Sequence, residues 1–140
     1  MTYSSYAISA YQAAILTTPP LQGVVLLYDG VLRAIGNATT AAERKDFETQ
    51  FNEVMKAARI LNGLNACLDI DQGGQVAQNL REMYQALVKA LLSSVGRPTG
   101  ARALRRLAEA VTLTRDAWAE IAGMAPRQGA TTPSAPEAVQ

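Results

Sequence analysis

The chain has 140 residues, 49% of them hydrophobic but only 6% aromatic, and a formal net charge of +1. That fits one domain around a single core packed mainly by aliphatic and small side chains, with no field to gather nucleic acid or an anionic membrane. The absence of histidine removes His-based triads, His-containing metal sites and the usual general base at neutral pH, so a non-enzymatic role without cofactor or metal is expected.

The one cysteine, Cys67, lies between Ala66 and Leu68 and reads as a buried thiol in a reducing compartment. No run approaches the roughly 18 apolar residues of a membrane span, and Met1 to Ala10 lack the basic start and apolar stretch of a secretory signal. A cytosolic location without direct membrane insertion is the expectation.

In chain order, Tyr3, Tyr6, Ile8 and Tyr11 give the start an aromatic character and predict a short cap helix near Ser5–Ile15. Thr17-Thr18-Pro19-Pro20 then marks a helix start, since proline fits the first turn, where its missing donor would be unpaired anyway. The spacing predicts a helix over about Pro20–Ala41, with Leu21, Val24, Val25, Tyr28, Val31, Leu32 and Ile35 on one stripe. Asp29 inside it reads as a carboxylate bonded to a neighbouring helix or facing water.

A second helix is predicted over about Arg44–Leu68, with Phe47, Phe51, Val54, Ala58, Leu61 and Leu68 on its stripe and Ile60 and Leu64 widening it. Asp69 to Gly74 is a turn signal, with glycines able to take positive φ and aspartate able to cap the next helix. The third helix, about Gly74–Val95, carries two apolar lines: Val76, Leu80, Met83, Leu87 and Leu91, and Ala77, Tyr84 and Val88. Two lines on one helix predict more than one neighbour.

Gly96-Arg97-Pro98 ends that helix, and Thr99 is positioned to cap a fourth over about Gly100–Ala122. Its stripe is Leu104, Leu107, Val111, Thr114, Trp118 and Ile121, with Arg102, Arg105, Arg106 and Arg115 expected mostly off it. From Pro126 onward the composition cannot offset the entropy of ordering, so a disordered tail is expected over 126–140, after one domain over 1–125. The fold class is all-α: an antiparallel four-helix bundle with an N-terminal cap helix.

Ala10-Tyr11-Gln12, Leu27-Tyr28-Asp29-Gly30, the run Ile60 to Asp69, Gly73 to Leu80 followed by Met83-Tyr84, and Asp116-Ala117-Trp118 stand in the order and spacing of one family's motifs. Over about Ala10 to Ile121 the chain resembles the FliS flagellar secretion chaperones. The resemblance implies that the bundle binds the C-terminal segment of flagellin, prevents its premature polymerisation and delivers it to the flagellar type III export apparatus. It also implies a flagellar anti-sigma factor and an export-gate membrane protein as further partners.

A disordered amphipathic flagellin terminus would self-associate, and covering its apolar face blocks that route. On this reading Leu64, Leu68, Val76, Ala77, Leu80, Tyr84 and Leu87 form part of the guest surface. Asn62 and Asn79 are polar anchors, and Ile8 and Tyr11 belong to a displaceable cap. The same side chains also suit a closed core. Two other readings stand beside it: a small helical enzyme resembling a chorismate-mutase bundle, which needs several arginines converging inside, and an oligomerising helical adaptor.

Overall fold

The computed structural model describes residues 21–127, so the expected cap helix and residues 128–140 of the expected tail lie outside the described residues. Four helices succeed one another: α1 (Leu21–Glu43), α2 (Phe47–Ala66), α3 (Ile70–Ser93) and α4 (Gly100–Ala122). Short connections force neighbours to run antiparallel. Asn37 reaches Glu53 between α1 and α2, Gln50 reaches the Ser94 carbonyl at the end of α3, and Asp29 meets Arg115 between α1 and α4.

Helix α1 is the hub. Its buried residues Val24, Val25, Tyr28, Val31, Leu32 and Ile35 reproduce the predicted stripe apart from partly buried Leu21, and they pack against both α2 and α4. Helix α3 packs on α2 but meets α4 at few positions. The fourth seam of the bundle is therefore the loose one. Val54 and Leu61 from α2, Leu91 from α3, and Leu104, Val111 and Trp118 from α4 complete a core in which each is at most 1% exposed. Each such side chain contributes on the order of 2 kcal/mol by leaving water.

The helix starts are held locally. Asp46 caps α2 by accepting from the Thr49 amide at 3.2 Å, and Asp69 caps α3 by accepting from the Gln72 amide at 3.1 Å. Helix α3 thus begins one turn before the predicted Gly74, which takes φ 56, ψ −132 and breaks that first turn from the rest. Thr99 occupies the cap position of α4 without a side-chain bond. What shapes this junction is Gly100, where a Cβ would stand 2.5 Å from the Ser94 carbonyl oxygen. Only glycine lets the two backbones approach so closely.

Three expectations are corrected. Phe47 and Phe51 stand 45% and 48% exposed, because in the first turns of α2 it is Gln50, bonded to the Ser94 carbonyl, that takes the inward place. Cys67 is exposed rather than buried, since it is the C-cap of α2, where the chain leaves the helical phase. Arg115 does not project outward with the other arginines of α4; it is buried.

Candidate functional site

Because α3 and α4 diverge, their seam holds a trough. One basin of about 290 Å³ is lined by Val76, Leu80 and Met83 of α3 and by Leu113, Thr114 and Ala117 of α4, with Asn79 at its rim. A second, of about 370 Å³, lies further along the seam between Ala90 and the start of α4, lined by the cap residue Thr99 and by Arg102, Ala103, Arg106 and Leu107. Thr114 Oγ1 donates to Met83 Sδ at 3.4 Å and so bridges the seam. The wall is apolar where a soluble monomer would usually be polar: Leu113 is 75% exposed.

Behind the first basin a polar knot ties three helices. The hydroxyls of Tyr28 and Tyr84 are hydrogen-bonded, and Trp118 Nε1 donates to the Tyr28 hydroxyl at 3.2 Å. The two tyrosine rings sit tilted, with centroids 6.4 Å apart. Burial pushes the Tyr84 hydroxyl up to about 12, with the bond to Tyr28 partly offsetting it. Buried polar atoms that find partners fix one arrangement of the surrounding helices.

On the opposite flank of α4 lies a cluster of charges. Arg115 Nε donates to Asp29 Oδ1 at 2.9 Å, and its Nη1 donates to Asp116 Oδ1 at 3.0 Å and to the Ala125 carbonyl at 2.9 Å. Burial works against the charge on Arg115, but the carboxylates of Asp29 and then Asp116 outweigh it and hold the guanidinium above its ordinary range. Arg127 joins through Nη1 to Asp29 at 2.8 Å, and its amide donates to Asp116. Where the sequence predicts the tail to begin at Pro126, Arg127 is still fastened to the bundle.

Of the residues singled out in the sequence, Val76 and Asn79 line the trough wall and Leu80, 6% exposed, forms its floor. Ala77, Tyr84 and Leu87 lie in the core beneath, and Leu64 and Leu68 are buried at 7% exposure. Asn62 is exposed on α2, and Ile8 and Tyr11 lie outside the described residues. The α4 wall, with Leu113, Thr114 and Ala117, escaped the sequence reading. Its signal was Leu113, a large apolar residue off the α4 stripe. Of the arginines on α4, only Arg115 is buried, against the several converging arginines that a mutase-type site needs. No metal-ligating cluster occurs among the described residues, and none of their helices is long and apolar enough to cross a membrane.

Comparison with known proteins agrees with this architecture. Residues 2–125 match the family model described as flagellar protein FliS. The chain is 30% identical over 118 residues to the flagellar secretion chaperone FliS of Salmonella typhimurium (strain LT2), covering 84% of this chain and 87% of that protein. It is 28% identical over 117 residues to the flagellar secretion chaperone FliS of Escherichia coli (strain K12), covering 83% and 85%. With the protein of that name from Bacillus subtilis (strain 168), it shares 32% identity over 113 residues, covering 79% and 81%.

Proposed function

The chain belongs to the FliS family of flagellar secretion chaperones, and on that premise we propose that it holds the C-terminal segment of flagellin in the cytosol, blocks its premature polymerisation and delivers it to the type III export apparatus. The observation that carries the reading is the loose α3–α4 seam, an apolar trough left open in an otherwise closed bundle. An amphipathic segment laid there as a helix buries its apolar face against Val76, Leu80 and Leu113.

Asn79 suits the role of polar anchor. Its Oδ1 accepts from Gln75 Nε2 at 2.8 Å, which leaves its amide hydrogens for a guest carbonyl. Tyr84, Leu87 and Ala77 support the trough from below. Leu64, Leu68 and Asn62 on the α2 side serve a guest that continues around the bundle, and the segment holding Ile8 and Tyr11 covers apolar surface until a guest displaces it. The anti-sigma factor and the export-gate protein are proposed as further partners through the same family membership.

Calorimetric titration with the C-terminal segment of the cognate flagellin tests this. Binding is expected, with a negative heat-capacity change from apolar burial. Leu113→Asp should weaken it at least about tenfold, the loss of one well-buried anchor, while far-UV helicity stays unchanged because Leu113 carries no core contact. A soluble peptide that gives no heat at any temperature, and no displacement signal, sinks the proposal. A trough that instead pairs with a second copy of the chain would appear as a dimer in sedimentation, abolished by the same substitution.

A further inference from the structure

The trough is electrically lopsided. Four arginines of α4 sit within about four turns, and two are already satisfied inside the molecule: Arg105 pairs with Glu43 and Arg115 with Asp29 and Asp116. The other two, Arg102 and Arg106, are exposed, line the second basin and have no carboxylate partner among the described residues. The α3 residue that lines this basin opposite them is Ala90, which carries no charge. Towards Leu113 the sign reverses, with Glu109 three residues after Arg106 and Glu120 in the last turn of α4, both exposed.

Resting on the trough as the guest site, we propose that Arg102 and Arg106 recognise a pair of carboxylates on the bound segment and so fix the direction in which it lies. The partner is an amphipathic helix with acidic side chains displaced from its apolar anchor. Leu113 stands seven residues from Arg106 and eleven from Arg102, about 10 and 16 Å along α4 at 1.5 Å per residue. A helical guest lying along the seam therefore carries its carboxylates two to three turns from the side chain that meets Leu113. Reversed, the same helix would bring those carboxylates towards Glu120, seven residues beyond Leu113, where like charge opposes them. The apolar basin supplies affinity and the arginine pair supplies polarity.

The test uses the full chain and the cognate flagellin C-terminal peptide, with each acidic residue of the peptide changed to lysine in turn. The double variant Arg102→Glu/Arg106→Glu should bind the native peptide about tenfold more weakly at low salt, and the gap should narrow as salt screens the contact. One lysine-substituted peptide should lose affinity for the native protein and recover it on the double variant. Both arginines are exposed, so helicity should not change, and Arg102→Gln/Arg106→Gln should show a smaller loss of the same kind. If Leu113→Asp abolishes binding while the arginine variants bind every peptide as the native protein does, the charge-reading proposal is overturned and the trough stands. If Leu113→Asp also binds normally, the trough itself is not the site.

Discussion

Tyr84 carries an ionisable hydroxyl into the bundle, and its environment sets a pH limit. The folded state holds that proton up to about pH 12, whereas an unfolded tyrosine releases it near 10.0. Above pH 10 the folded chain binds more protons than the unfolded one, so stability falls as pH rises. The contribution is intact below about pH 10 and disappears towards 12, at up to about 1.4 kcal/mol per pH unit. Tyr84→Phe should flatten this alkaline decline while costing about 1 kcal/mol at neutral pH through the lost bond to Tyr28. Urea midpoints measured from about pH 8 to about pH 11.5 would check it; equal slopes in both proteins would place the alkaline loss elsewhere. The Asp29–Arg115 pair makes a second case. Asp29→Ala leaves a buried guanidinium with only Asp116 and a carbonyl, and should cost about 3 kcal/mol in urea unfolding. Asp29→Leu combined with Arg115→Met should cost less than the two single changes summed, because the buried guanidinium is then removed together with its partner.

Helices and their junctions obey a different logic, that of backbone approach and propensity. A methyl at Gly100 would press on the Ser94 carbonyl, which already accepts from Gln50 Nε2 at 3.2 Å. Gly100→Ala should therefore strain the α3–α4 connection and lower stability by about 1–3 kcal/mol. Gly36 in α1 is exposed and helical, with nothing within 4 Å of a Cβ placed there. Gly36→Ala should raise stability by up to about 1 kcal/mol from helix propensity alone. Thermal melts of the two variants, moving in opposite directions, check both. These contrasts also mark what periodicity conveys. The α1 stripe was legible because its burial tracks the helical repeat. Phe47 and Phe51 share the repeat of α2, but in those turns Gln50 occupies the inward place. Cys67 lies off the α2 stripe and stands where the helix has ended. Arg115 was opaque for another reason: its partner Asp29 lies 86 residues away, and local spacing carries no information about such a pair.

At the scale of the whole molecule, the bundle is closed on three seams and open on the fourth. The half of the trough on α3 was legible from the doubled apolar line through Val76 and Leu80. The half on α4 was not, because which helix faces α3 across the loose seam is a matter of packing and not of any one helix's pattern. A bound guest adds contacts that only the folded state makes, so the flagellin segment at about 100 times its Kd should stabilise the bundle by about 2.7 kcal/mol. A thermal shift that grows with peptide concentration, and vanishes in Leu113→Asp, is the expected result. An unchanged melting temperature under saturating peptide would mean that the segment does not engage the folded bundle.

The charge cluster at Asp29, Arg115, Asp116 and Arg127 has a practical corollary. It ties the Arg127 amide to Asp116 of α4 and its guanidinium to Asp29 of α1. None of these anchoring residues lines the greasy slot between α3 and α4, so a handle fused to the chain end need not touch the slot's own side chains. Attachment through the lining side chains themselves should register as lost capacity.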